Sequence, residues 1–235
     1  MALSPSEINK RLYEKLYDHI SPNKQTLFER YAPERTNYIT VVLENVYQEH
    51  NASAVVRSCD CLGIQNLHVV EQRNEYRVQT EIALGASNWV KIHNYSDPNN
   101  TTANCLRKLK EQGYKIIATT PHDNSQSIYD LDLSQPMAFV FGTEKEGISQ
   151  EVLEEADQTT FIPMYGFTES FNISVSVAIV LSAIRRRLEE SAIRWRLDEN
   201  EQILAKIEWT KQLLNGGEYM CKRFTEDIIN DALLK

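Results

Sequence analysis

No stretch of this chain approaches the roughly 18–20 uninterrupted apolar residues that a membrane helix requires. The longest apolar-looking run, Ile173 to Ile184, is broken by Ser174, Ser176 and Ser182. Met1 to Lys10 lack a basic region followed by an apolar core, so no secretory signal is read there and the cytoplasm is the expected compartment. Cysteine is scarce, at four residues, and none pairs at zinc-ligand spacing. Cys59-Asp60-Cys61 is too tight for a structural zinc knuckle, so reduced thiols are the simpler reading and no metal is expected. No Walker A sequence is present, and no GxGxxG follows the first strand, so the usual nucleotide fingerprints are missing. An excess of positive charge is lacking too. The net charge is −8, which by itself argues against holding a polyanion by general attraction. The acidic excess lies in the middle of the chain: residues 1–35 carry net +1 and residues 185–235 net 0.

What is present is an ordinary globular composition over 235 residues, enough for one α/β domain with short extensions. Leu12, Leu16 and Ile20 form a single apolar stripe at i, i+4, i+8, and Pro33 ends a second short helix that starts near Thr26. Tyr38 to Leu43 is rich in β-branched residues and reads as a buried strand. Asn51 stands before a helix over 52–62 that Gly63 closes. Further strands are expected at 67–70, 89–93, 114–119, 136–141 and 160–162, with helices at 102–112, from Ser149, and over 173–188. Residues 71–88 read as a long loop or irregular helix. Two amphipathic tail helices, about 199–214 and 221–234, are split by Gly216-Gly217. Strands alternating with helices predict a parallel sheet flanked by helices. The divisions are 1–35 as an N-terminal helical extension, 36–190 as the main domain and 191–235 as a C-terminal helical extension.

Three segments fall where such a sheet places its sites, after strands and before helices. They are Asn51 to Arg57, Phe139 to Gly147, and Ile162 to Ser174. Singly, each has an ordinary structural explanation. Asn51 is a helix-cap candidate, and Arg57 can be a solvated charge. Gly142 and Gly147 suit a turn, Glu144 suits a helix N-terminus, and Ser170 and Asn172 suit a cap.

Together, in this order and at these separations, they resemble the three motifs of the SpoU-type branch of the SPOUT methyltransferases. Within that branch the resemblance is nearest to the TrmH-type tRNA guanosine-18 2′-O-methyltransferases. The matching phrases are Leu43-Glu-Asn-Val, His50-Asn-Ala-Ser-Ala-Val-Val-Arg-Ser-Cys-Asp60, Phe141-Gly-Thr-Glu-Lys-Glu-Gly-Ile148, and Ile162-Pro-Met-Tyr-Gly with Glu169-Ser-Phe-Asn-Ile-Ser-Val175. Gly85-Ala-Ser-Asn-Trp89 is similar to a further small-residue segment of that family.

The resemblance implies a deep trefoil knot at about 138–188, although knots are nearly absent from proteins. It implies S-adenosylmethionine as cofactor, bound at Thr119, Gly142, Ile162, Met164 and Phe171. The implied catalytic residues are Arg57, Asn51, Glu144, Ser170 and Asn172. The family usually has Leu where Phe171 stands and often Gln where Glu169 stands. The implied reaction is methyl transfer to a ribose 2′-hydroxyl of RNA, most closely guanosine-18 in the tRNA D-loop. Ribosomal RNA, another tRNA position, and a non-catalytic RNA-binding relative are the alternatives. The RNA is expected on the chain ends, at Lys10, Arg11, Lys15, Lys24, Arg30 and Arg35, and at Arg185, Arg186, Arg187, Arg194 and Arg196. A homodimer is expected because the helix 173–184 is apolar around most of its circumference.

Overall fold

The computed structural model describes residues 3–46, 48–71, 83–96, 102–121, 125–143 and 146–234. Two compact units form: Thr36–Trp195, and a second made of Met1–Arg35 together with Arg196–Lys235.

The larger unit carries β1 (Ile39–Glu44), α3 (Glu49–Cys61), β2 (Asn66–Val70), β3 (Lys91–Tyr95), α4 (Thr102–Glu111), β4 (Lys115–Thr119), β5 (Gln126–Ser127), β6 (Met137–Phe141), α5 (Gln150–Glu155), β7 (Gln158–Phe161) and α6 (Ile173–Glu189). The seven strands form one sheet in the order β3-β2-β1-β6-β4-β7-β5, and every pairing is parallel. β6 is therefore inserted between β1 and β4, and β7 lies beyond β4.

Alternation along each strand sends side chains to two faces, and each face has its own core. Val41, Leu43, Leu67, Val69, Phe139 and Phe141 pack with Val55, Val56 and Cys59 of α3 and with Val177, Val180, Leu181, Ile184 and Leu188 of α6. On the other face Val42, Val70, Ile116, Ala138 and Val140 pack with Cys105, Leu106 and Leu109 of α4 and with Val152 of α5. All these side chains are buried.

The second unit contains α1 (Pro5–Tyr17), α2 (Pro22–Tyr31), α7 (Glu199–Leu213) and α8 (Gly217–Leu233). Ser4 and Glu7 close a capping box on α1, Asp198 and Glu201 close another on α7, and proline opens α1 and α2. The Leu12–Leu16 stripe packs on Ile207 of α7 and on Cys221 and Ile228 of α8. Helices from both ends of the chain thus share one core.

Several expectations shift at their edges. α3 begins at Glu49 with Gln48 in the N-cap position, so Asn51 lies inside the first turn rather than capping it. The last helix begins at Gly217 rather than 221, because Gly216 takes the left-handed φ of +72° that ends one helix and admits the next. β5 was not foreseen; two polar-leaning residues have no apolar pattern to detect. The loop or irregular helix expected over 71–88 falls mostly outside the described residues. Among the described residues no helix is long and apolar enough to cross a membrane.

Candidate active site

The C-terminal ends of β4, β6 and β7 are adjacent in the sheet, and the chain leaves each of them into a loop. Those loops enclose a cleft of about 460 Å³, within the range that takes a small ligand. Thr119, Gly142, Ile162, Met164, Phe171 and Ser170 all line it. The five expected cofactor positions, far apart in sequence, therefore converge on one cavity. Ile148, Leu153 and Ile173 add apolar surface, while Glu146 and Glu169 add carboxylates. Pro121 and Leu153 also line the cleft without any sequence signal, whereas Thr143, Glu146 and Ile148 lie within the quoted segment Phe141 to Ile148 but were not assigned to the wall individually.

Local chemistry explains the wall at Gly142. Thr143 and Gly147 exchange backbone hydrogen bonds of 2.9 and 3.0 Å, folding the segment back on itself. The Thr143 hydroxyl accepts from the Glu146 N–H at 3.0 Å. A Cβ on Gly142 would collide with the Gly147 carbonyl and the Ile148 nitrogen, so only glycine fits there. Gly147 itself sits at a φ of +69°. Glu144 falls outside the described residues.

A second cluster joins α3 to α6. The Asn172 side chain caps α6, its Oδ1 accepting from Ser174 N at 2.9 Å and from the Ser174 hydroxyl at 2.6 Å. Its Nδ2 donates to Asn51 Oδ1 at 3.0 Å, and Asn51 Nδ2 donates to Gln48 Oε1 at 2.9 Å. Asn51 is 2% exposed, so its amide is positioned by these bonds rather than by water. Two of the expected catalytic residues are thus in direct contact.

Arg57 is not brought to the cleft wall. It is exposed on α3 and lines a shallow groove with Leu62, Tyr129, Val175, Ile179, Ala183 and Arg186. No hydrogen bond or ion pair is made by Arg57 among the described residues.

The expected RNA-binding cations separate into two kinds. Lys10, Arg11, Lys15, Arg30 and Arg186 are exposed. Arg35, expected at the surface, is instead 3% exposed, with its guanidinium 5.5 Å from the Trp209 ring centre, so it is held inside the helical unit. Arg185 lies 4.1 Å over Trp195, pairs with Glu189 and donates to the Leu62 carbonyl. Arg187 donates to the carbonyls of Ile128 and Leu131. The Arg-rich junction therefore works mainly as internal fastening. Lys222 and Arg223 are further exposed cations, on α8, that were not among those expected from the sequence.

A parallel α/β sheet with a ligand cleft beyond adjacent strand ends, walled by a folded-back glycine loop, defines a class of small-molecule-binding α/β proteins. Residues 38–182 match the model of the SpoU rRNA Methylase family, and the chain belongs to that family. It is 37% identical to a tRNA (guanosine(18)-2'-O)-methyltransferase of Borreliella burgdorferi over 211 residues, 90% of this chain and 93% of that protein. The solved TrmH/SpoU tRNA modifying enzyme of A. aeolicus superimposes with a TM-score of 0.73 at 30% identity, covering 82% of this chain and 98% of that one. The SpoU methyltransferase AviRb of Streptomyces viridochromogenes, solved with AdoMet, shares the fold at a TM-score of 0.58 and 21% identity, covering 69% of this chain and 65% of that one.

Proposed function

We propose that this protein transfers a methyl group from S-adenosylmethionine to the ribose 2′-hydroxyl of guanosine-18 in tRNA. The observation that carries the reading is the convergence of Thr119, Gly142, Ile162, Met164 and Phe171 on one cleft, in a chain so similar along its length to a tRNA (guanosine(18)-2'-O)-methyltransferase. The cleft fits the cofactor's chemistry. Ile148, Ile162 and Phe171 offer apolar walls to an adenosyl group, and Glu146 and Glu169 place negative charge near a sulfonium or ammonium cation.

Bound there, the cofactor supplies an activated methyl group. The protein aligns the acceptor for in-line displacement. Arg57 is the group assigned to the acceptor. A guanidinium holds its proton far above neutral pH, which disfavours it as a free-standing base. Arg57 instead grips phosphate and ribose with its planar fork and polarises the hydroxyl, with the phosphate as proton acceptor. Ser170 lines the cleft, and the Asn51–Asn172 pair fixes the start of α6.

Two further elements belong to the same reading. The groove that holds Arg57 is lined largely by apolar side chains, with Val175 44% exposed. A second copy covering it gives a homodimer, so that Arg57 of one protomer serves the cleft of its partner. The family resemblance also implies a trefoil knot at about 138–188, and the insertion of β6 between β1 and β4 is compatible with one. The compartment that fits a tRNA substrate is the cytoplasm.

The test is mass spectrometry of nuclease-digested tRNA after incubation with enzyme and labelled cofactor. One labelled 2′-O-methylguanosine in the D-loop is expected. Labelling of ribosomal RNA with none on tRNA would overturn the assignment.

A further inference from the structure

Glu44 is a buried carboxylate that the proposed chemistry does not use. It is the last residue of β1 and 3% exposed. Its Oε1 accepts from the Thr102 hydroxyl at 2.8 Å and the Ser149 hydroxyl at 2.6 Å, and its Oε2 accepts from the Ser149 N–H at 2.9 Å. Thr102 is fully buried at the first residue of α4. Ser149 is the N-cap of α5, and its oxygen also accepts from Val152 N at 3.3 Å. One carboxylate therefore binds the end of β1 to the start of α4 and the start of α5.

Burying a carboxylate is costly, and three neutral donors satisfy it without supplying an opposite charge. A hydrophobic plug would fill the same space without that cost. The position of the contacts suggests what the charge achieves. Ser149 follows directly on Glu146, Gly147 and Ile148, which with Gly142 and Thr143 wall the cleft. The backbone exchange between Thr143 and Gly147 closes that segment on itself but does not attach it to β1. Glu44 provides the attachment, at the strand end from which the chain turns through Asn45, at a φ of +53°, towards α3.

We infer that Glu44 is a positioning residue that clamps the cofactor-loop exit at Ser149 to the end of β1 and so holds the cleft in its binding shape. This rests on the reading of the cleft as the S-adenosylmethionine site. Charge-assisted acceptance by two oxygens makes the clamp stiffer than an amide would. In Glu44→Gln one terminal atom becomes a donor, and the Ser149 N–H and two hydroxyls can no longer all point at acceptors.

The experiment uses the full-length protein. Hydrogen exchange is measured over residues 146–155 without ligand, alongside calorimetric titration with S-adenosylmethionine and tRNA binding. For Glu44→Gln, amides at 146–155 are expected to exchange at least tenfold faster. The dissociation constant for S-adenosylmethionine is expected to rise about tenfold while that for tRNA changes less than twofold. Ser149→Ala should reproduce both effects, and Ser149→Thr, which keeps the hydroxyl and the cap, should restore them. Unchanged exchange and cofactor affinity in a folded Glu44→Gln protein would overturn the clamp. If Glu44→Gln does not fold, the Ser149 pair decides, and equal behaviour of Ala and Thr would overturn it. If the unmodified protein does not bind S-adenosylmethionine, the functional reading fails, while the exchange measurement still reports on the clamp.

Discussion

At the residue scale, two positions separate acceptor chemistry from cofactor binding. Arg57 is exposed and outside the cleft wall. Arg57→Ala and Arg57→Lys are each expected to lower methyl transfer about a hundredfold or more, with cofactor affinity nearly unchanged, since lysine keeps the charge but not the bidentate fork. Wild-type-like turnover by the lysine variant would refute that role. Gly142 behaves in the opposite way. A methyl group there meets the Gly147 backbone, so Gly142→Ala should weaken cofactor binding at least tenfold in calorimetry while tRNA binding persists. What was legible came through the joint resemblance of three segments to one family, since each residue alone has an ordinary structural explanation. The destinations of individual side chains were less legible. Arg35, Arg185 and Arg187 read as surface cations, yet Trp209, Trp195 and two loop carbonyls draw them inward. Such pairings join residues far apart in sequence and leave no local periodicity.

At the scale of elements, the start of α6 and the β2–β3 pair each make a measurable demand. Asn172 both caps α6 and reaches Asn51. Asn172→Ala should cost about 1–2 kcal/mol in denaturant unfolding and also reduce turnover. Asn172→Asp keeps the cap but loses the donor, so stability near that of the parent with turnover still reduced is expected. Equal recovery of both would show that the Asn51 contact is unimportant.

On β2 and β3, His68 and His93 stack with ring centres 4.6 Å apart; His68 bonds to Tyr95 and His93 to Asn66. Burial, then the neighbouring His93, lowers the His68 pKa from 6.5 to about 3, and burial followed by Lys91 lowers that of His93. His68 is therefore neutral in the folded protein near neutral pH, and both rings protonate more readily when unfolded. For His68 this contribution to stability is present above about pH 6.5 and lost as pH falls towards 3, about 2 kcal/mol of it by pH 5; His93 acts in the same direction. Denaturant midpoints at pH 7.5 and 5.0 should differ less in His68→Asn than in the parent. The sequence led to a strand at 67–70 but not to the stacked pair, which depends on the register His68↔His93.

At the scale of the molecule, the homodimer reading predicts that Val175→Glu, in the groove beside Arg57, yields a monomer in analytical ultracentrifugation and loses methyl transfer. A dimer that persists would place the interface elsewhere. RNA binding by the helical unit is best tested with charge changes, because deleting residues 1–35 would strip α1 from Ile207, Cys221 and Ile228 and unmake the unit's core. Replacing Lys10, Arg11 and Lys15 by Glu should raise the tRNA dissociation constant. It should also flatten the salt dependence of binding, by up to about 0.9 in slope for each phosphate that is no longer neutralised.

That shared core also imposes an order on synthesis. Lys206, 8% exposed, closes on Glu29 at 2.7 Å across 177 residues of chain. At ribosomal speeds of about 5–20 residues per second, α1 and α2 wait roughly 10–35 s for the helices that cover them. Throughout that interval Leu12, Leu16 and Phe28 have no native shelter, whereas the sheet encoded between them and their partners can already assemble. Helices α1 and α2 are thus made before the sheet but completed after it, once α7 and α8 have left the ribosome.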